Sequence, residues 1–202
     1  MQLSARFGDA LVFANYLHAQ QLRKGGTIPY IAHLLSVAAI VLENGGDENE
    51  AIAALLHDAI EDQGGDATRQ EIQRRFGAVV VEIVNGCTDA DTTPKPPWQA
   101  RKEAYLAHLC TAPSSVLLVS AADKLHNLRS LREDYALVGE LLWQRFKTGK
   151  QGTLWYYRSL VEVYNARYPT PLTTELTRVF HELEAMVAAS PSHQSTIDVE
   201  KI

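Results

Sequence analysis

The residues best suited to chemistry sit in one octapeptide, Leu55-Leu56-His57-Asp58-Ala59-Ile60-Glu61-Asp62. An adjacent His-Asp pair inside an apolar helical stretch is unusual for a purely structural element. A buried carboxylate is costly unless its charge is compensated. Glu61 and Asp62, one turn later, make such burial harder without a cation nearby. On a continuous helix His57 and Glu61 share a face, and Asp58 and Asp62 share the neighbouring one. Taken alone, this segment also fits a polar helix edge with a water-capped histidine.

Two other places add weight. His33 lies among apolar neighbours in Pro29-Tyr30-Ile31-Ala32-His33-Leu34-Leu35, and Asp123 lies in Val119-Ser120-Ala121-Ala122-Asp123-Lys124-Leu125-His126-Asn127-Leu128. A single His or Asp in such a setting is ordinarily a satisfied core group. Four of them on three helices, His33, His57, Asp58 and Asp123, form a mixed nitrogen and oxygen ligand set. It suits a borderline-hard divalent ion such as Mn²⁺, Fe²⁺ or Zn²⁺. Their combined charge of −2 would cancel that of the ion, which is a physical reason to bury them.

The elements that must position these residues read as helices almost throughout. Apolar residues recur at helical spacing from Leu11, with a predicted stop near Lys24 at Gly25-Gly26. Further helices are predicted over 30–43, with Pro29 suited to the first turn, and over 48–62, capped by Asp47. Others are predicted at 68–76, 78–85, 98–110, 113–132, 135–146, 154–168 and 171–189. Thr92-Thr93-Pro94-Lys95-Pro96-Pro97 is an irregular connection, because consecutive prolines exclude helix. It reads as a surface loop, since candidate residues flank it on both sides. The expectation is an all-α, single-domain helical bundle over residues 1–190, followed by a polar tail over 191–202.

Composition narrows the function classes. With 202 residues, 46% hydrophobic and 21% charged, the chain can bury one sizeable core and is not a disordered segment. A formal net charge of −5 does not suggest a protein that binds a nucleic acid polymer by neutralising phosphates. A small anionic substrate held by local Arg and Lys residues remains compatible. Cys87 and Cys110 form no Cys-x-x-Cys pair and read as buried, reduced thiols. Neither a signal-peptide pattern nor an apolar run of membrane-spanning length is evident, so the expectation is a cytoplasmic protein without a membrane partner. The oligomeric state is not legible.

His33, His57-Asp58 and Asp123 match the H…HD…D signature of HD-domain phosphohydrolases. Within them the chain most resembles the RelA/SpoT-homologue hydrolase domain, in particular the single-domain small alarmone hydrolases. The resemblance spans roughly residues 10 to 135. It rests on Arg23-Lys24 with Pro29-Tyr30-Ile31-Ala32-His33, the octapeptide, Phe76-Gly77 with Gly86-Cys87-Thr88, and Ala122-Asp123-Lys124-Leu125-His126-Asn127-Leu128-Arg129. It implies an HD-type bundle that removes the 3′-pyrophosphate from (p)ppGpp or a related alarmone, releasing pyrophosphate and GDP or GTP. It further implies His33, His57, Asp58 and Asp123 as ligands of one Mn²⁺, and Glu61 and Asp62 as the pair that orients and deprotonates the attacking water. Arg23 and Lys24 resemble residues that flank the nucleotide, and Asn127 and Ser130 resemble ribose- or base-site contacts.

Elementary chemistry agrees with these roles. A metal lowers the pKa of bound water, and a neighbouring carboxylate can accept the proton. Asp123 and Asn127 are four residues apart and share a helical face. Arg23 and Lys24 are expected at a helix end before a Gly-rich turn, free to swing over a phosphate or to stack on a base. Dinuclear HD phosphodiesterases carry additional histidines between the HD pair and the last Asp. Only His108 lies there, so one metal is expected. His18, His108, His126 and His181 read as core-edge or surface residues.

The segment departs from the family in Gly25-Gly26-Thr27-Ile28, which is longer and lacks an acid, and in Ser120-Ala121, where Lys-Leu is common. Both are expected on the substrate rim, affecting base preference. Lys147-Thr148-Gly149-Lys150-Gln151-Gly152-Thr153 reads as a solvated basic loop, with Lys147, Lys150 and Tyr157 within reach of a pyrophosphate if it closes. The roughly 70 residues after Arg132 lack a nucleotidyl-transferase pattern, so hydrolysis without synthesis is expected. Two other function classes compete: an HD phosphatase acting on other nucleotides, such as a 5′-nucleotidase, and a catalytically silent metal-binding module. The Glu61-Asp62 pair argues against the latter, because a structural site needs no spare carboxylates.

Overall fold

A computed structural model describes residues 2–90 and 94–190. The polar tail 191–202 and the Thr92-Thr93 part of the proline-rich connection lie outside the described residues. The described chain is all-α. Its helices are α1 (Ala5–Leu17), α2 (Ile31–Glu43), α3 (Glu48–Leu56), α4 (Ala59–Asp62), α5 (Asp66–Phe76), α6 (Ala78–Cys87), α7 (Trp98–Leu109), α8 (Ser114–Val138), α9 (Gly149–Arg167) and α10 (Pro171–Ala189), with a 3-10 helix at Gly139–Arg145.

The centre of the bundle is α3, packed against α1, α2, α6 and α8. It starts at a capping box, in which the Glu50 amide donates to Asp47 Oδ1 at 2.9 Å and the Asp47 amide donates to Glu50 Oε2 at 2.7 Å. Every residue from Ala51 to Leu56 is buried. Ala51, Ala53 and Ala54 let neighbouring helices approach closely. Ile52, Leu55 and Leu56 supply apolar area, each contributing roughly 1.5–3 kcal/mol on full burial. Gly86 serves the same end on α6, because a Cβ there would stand 2.5 Å from Val116 Cγ2 of α8.

Four element boundaries differ from expectation. First, α1 stops at Leu17, not near Lys24. The next segment folds into a loop closed by a Leu22–Pro29 bridge, with the Arg23 amide donating to the Ile28 carbonyl at 2.8 Å and the Tyr30 amide to the Gln21 carbonyl at 2.9 Å. Gly25 takes φ +79° in this loop. Arg23 and Lys24 are therefore loop residues. Second, the helix expected over 48–62 is broken at His57-Asp58 into α3 and α4. The Ala54 carbonyl accepts a 2.8 Å hydrogen bond from His57 Nδ1, so the histidine side chain competes for the helix's own acceptor at the break.

Third, α8 continues without interruption past Arg132 to Val138 and stops only at Gly139, φ +55°. Leu131 and Tyr135, four apart, extend its buried face, and Glu133-Asp134 contains no helix breaker. Beyond it, Gly139–Arg145 forms 3-10 helix instead of a second α-helix. Fourth, α9 begins at Gly149, five residues early, so most of the expected basic loop is helical. Lys150 is paired with Glu140 at 2.9 Å and Tyr157 is buried.

Candidate metal centre

Three elements bring the ligand-type residues together: α2 carries His33, the α3–α4 break carries His57 and Asp58, and α8 carries Asp123. His33 and His57 are buried, their rings edge to face with centroids 5.2 Å apart. His57 Nε2 lies 3.0 Å from Asp58 Oδ2 and 3.5 Å from Asp123 Oδ1. His33 Nε2 lies 3.2 Å from Asp123 Oδ1 and 3.7 Å from Asp58 Oδ2. One ligand atom from each of His33, His57 and Asp58 falls within 4.8 Å of the others, a group that could hold a metal ion.

The far side of each ring decides what its Nε2 presents. A carbonyl only accepts, so His57 Nδ1 carries a proton toward Ala54. His33 Nδ1 meets His126 Nδ1 at 2.8 Å, which requires one donor and one acceptor. Burial, assisted by His33, pushes the His126 pKa down to about 4 and keeps it neutral. With His33 as donor, its Nε2 turns a lone pair toward the carboxylates; His57 Nε2, where Asp58 and Asp123 favour a proton while no cation is bound, presents one once that proton leaves. Neither has a hydrogen-bond partner. Two imidazole nitrogens and two carboxylates converging in a buried space call for positive charge among them, which a proton on His57 supplies in the cation-free site and a metal ion would supply in its place; the donor set fits a divalent ion.

The carboxylates are held ionised. Burial works to raise both pKa values. For Asp58 the charge of His57 outweighs it, and for Asp123 Lys124 does so first, followed by the two histidines. The Lys124 ammonium donates to Asp123 Oδ2 at 2.6 Å, and Asn127 Nδ2 donates to Oδ1 at 2.5 Å. The Tyr30 hydroxyl donates to Asp58 Oδ2 at 2.5 Å, and burial together with Asp58 raises the phenol pKa, so the donor stays protonated.

Around this centre, Asp62 opens on solvent, and Gln21 Nε2 donates to its Oδ2 at 2.7 Å. Partial burial is the main cause of a raised Asp62 pKa, with Asp58 and Glu61 adding to it. Glu61 Oε1 accepts from Lys95 Nζ at 2.7 Å. Arg23 Nη2 donates to Asn127 Oδ1 at 2.8 Å, and Lys24 Nζ stands 4.8 Å from the centroid of the Phe146 ring. Ser130, close to Asn127 on α8, donates back to the His126 carbonyl at 3.2 Å.

Several expectations need correction. Ser120 is not on a substrate rim. It is buried, 2.6 Å from both the Tyr105 and Tyr164 hydroxyls, and serves the core. Cys110, at the end of α7, is exposed where a buried thiol was expected, and Cys87 is half-buried. His126 does more than line a core edge, since it supports His33. Tyr30, Lys124, Lys95 and Gln21 join the site without having been expected there. Tyr30 finds its partner Asp58 on another element, which no local signal names, whereas Lys124 pairs with its chain neighbour Asp123, and that adjacency is the signal that could have found it.

This is the HD-type arrangement, and the family comparison agrees: the HD domain model matches residues 10–154, and the chain belongs to that family. Among curated relatives, a guanosine-3′,5′-bis(diphosphate) 3′-pyrophosphohydrolase MESH1 of Xenopus tropicalis is 42% identical over 127 residues, which cover 61% of this chain and 68% of the relative. GTP pyrophosphokinase rsh of Brucella abortus is 41% identical over 139 residues, 66% of this chain but only 18% of that much longer protein. The chain thus spans less than a fifth of the length of the rsh relatives it matches. Among solved structures, one described as a metazoan ortholog of SpoT that hydrolyzes ppGpp and plays a role in starvation responses superposes with a TM-score of 0.75 at 26% identity. That match covers 90% of this chain and 97% of the other. A second, lmo0812 of Listeria monocytogenes, gives a TM-score of 0.66 at 28% identity over 77% of this chain and 99% of its own.

Proposed function

We propose that this chain is a metal-dependent pyrophosphohydrolase that removes the 3′-pyrophosphate from ppGpp or a related alarmone nucleotide, giving pyrophosphate and GDP or GTP. The observation that carries this reading is the convergence of two buried imidazole nitrogens, neither with a hydrogen-bond partner, on two ionised carboxylates, with the acids Glu61 and Asp62 beside them. The similarity to a relative named for this activity supports the substrate class. Residues 1–190 form the catalytic domain, acting in the cytoplasm; among the described residues no helix is long and apolar enough to cross a membrane.

His33, His57, Asp58 and Asp123 would hold one divalent cation; the mixed nitrogen and oxygen donor set suits Mn²⁺, Fe²⁺ or Zn²⁺, and the resemblance to the small alarmone hydrolases favours Mn²⁺. When bound, the ion supplies Lewis acidity toward water and the phosphoryl oxygens. The protein's own groups do the rest. Asp62, with its raised proton affinity, accepts the water proton, and Glu61 helps fix the water in line. Water oxygen adds to the phosphorus on O3′, the P–O3′ bond breaks, and O3′ takes up a proton. Arg23, Lys24, Asn127 and Ser130 would receive the nucleoside, with Arg23 offering a cationic plane to the base and Lys24 a point charge to a phosphate.

The test is product analysis after incubating the purified, Mn²⁺-loaded protein with ppGpp, pppGpp, the adenosine analogue and nucleoside monophosphates. Pyrophosphate from the tetraphosphate, lost in Asp58→Ala, is expected. Orthophosphate from monophosphates as the only product would instead mark a 5′-nucleotidase-like phosphatase, and binding of metal with no turnover would mark a silent module.

A further inference from the structure

Between α1 and the Arg23 loop lies a group of side chains that no substrate or ligand role accounts for. His18 is buried, stacked on Tyr30 with centroids 5.2 Å apart and planes 22° apart. Its Nδ1 is 2.7 Å from Gln21 Oε1. The same Oε1 accepts from Gln63 Nε2 at 2.6 Å, and Gln21 Nε2 donates to Asp62 Oδ2 at 2.7 Å.

The polarity of this chain of hydrogen bonds is set by its acceptors. An ionised Asp62 has no proton to give, so the Gln21 atom facing it is the amide nitrogen. The Gln21 oxygen then faces His18 and Gln63, and His18 must donate through Nδ1–H. Burial lowers the His18 pKa, so the ring carries a single proton, and His18 Nε2 is correspondingly without a partner. Two donors on its oxygen fix the Gln21 amide plane, and that plane fixes one oxygen of Asp62. The other oxygen is left for water.

We propose that His18 and Gln21 are positioning residues for hydrolysis: His18 locks the Gln21 amide, which holds the Asp62 carboxylate in the rotamer that receives the water proton. This rests on the role given to Asp62 above. The hydrogen bonds of both side chains lead to Asp62 and Gln63, and only the His18 ring, stacked on Tyr30, approaches the metal-ligand group. Their loss should therefore reach turnover without reaching metal content.

Four variants and one spectrum test it. His18→Leu and Gln21→Leu should lower kcat on ppGpp roughly 10- to 100-fold, a fraction of what general-base catalysis contributes, with KM within about twofold. His18→Asn, whose amide N–H takes the place of Nδ1–H, should recover kcat to within roughly threefold of wild type. Gln21→Glu is nearly isosteric but turns an oxygen toward Asp62, so it should lower kcat as much as Gln21→Leu. All four should retain wild-type metal by elemental analysis. The ¹⁵N spectrum of wild-type His18 should show the Nδ1–H tautomer.

Wild-type kcat in His18→Leu or in Gln21→Glu overturns the proposal, as does His18→Asn behaving like His18→Leu, or a change confined to KM. The two failures are separable. A wild-type protein that releases no pyrophosphate refutes the function proposed above, whereas the His18 tautomer is read on the same sample regardless of turnover. The Nε2–H form overturns the relay in either case.

Discussion

Replacing Tyr30 by Phe removes one oxygen atom and leaves the ring in place, stacked on His18 and edge-on to His33. The lost contact is the 2.5 Å hydrogen bond to Asp58 Oδ2. A hydrogen bond to a charged group contributes roughly 1.5–3 kcal/mol. Two effects then oppose each other. Without the donor, Asp58 becomes a more basic ligand, which favours the cation. Asp58 also loses the partner that fixes its rotamer, and it sits at the α3–α4 break, outside regular helix. Orientation should win, because outer-layer partners of metal ligands typically account for a 10- to 100-fold change in affinity. That range corresponds to about 1.4–2.8 kcal/mol. Titration of the metal-free protein with Mn²⁺ against a chelating dye reads it directly. The expectation is a Kd roughly 10- to 100-fold weaker, with the circular dichroism of the metal-free fold unchanged. A Kd within about twofold of wild type would refute the orienting role of Tyr30.

Glu61→Ala should retain metal while losing turnover; loss of metal by elemental analysis would make Glu61 a ligand instead. Metal affinity should weaken as pH falls. In the cation-free site burial opposes the charged form of His57, but Asp58 and Asp123 outweigh it and hold the pKa well above its ordinary value. Proton and cation therefore compete for the same nitrogen. Calorimetry in buffers of different ionisation enthalpy should detect proton release on binding, and a pH-independent Kd would contradict it. Gly86→Ala puts a Cβ 2.5 Å from Val116 Cγ2 and should cost about 1–3 kcal/mol, seen as a Tm lower by roughly 2–12 °C. An unchanged Tm would mean that α6 and α8 part without cost.

The all-α architecture was legible because apolar periodicity and Gly or Pro stops are local signals. So was the group His33, His57, Asp58 and Asp123, since ionisable residues in apolar helices are costly and draw notice. What the chain order hid was whatever depended on competition between elements. The break after Leu56 arises because the His57 ring takes the Ala54 carbonyl, which periodicity cannot anticipate. The early stop of α1 reflects pairing of Leu22 with Pro29, a contact made by the loop rather than by helix propensity. Supporting residues escaped for the same reason: His126 reaches His33 from 93 positions away and Gln21 reaches Asp62 from 41. Ser120 looked like a substrate-side departure, and only packing shows it satisfied between two buried tyrosines.

Whether α2, the α3–α4 break and α8 share one buried cation can be read from metal stoichiometry. Elemental analysis of wild type and of His33→Ala, His57→Ala, Asp58→Ala, Asp123→Ala and Asp62→Ala should give one divalent ion per chain in wild type and in Asp62→Ala. The other four should hold far less. Wild-type protein that binds no divalent ion, or full metal content in Asp123→Ala, would contradict it.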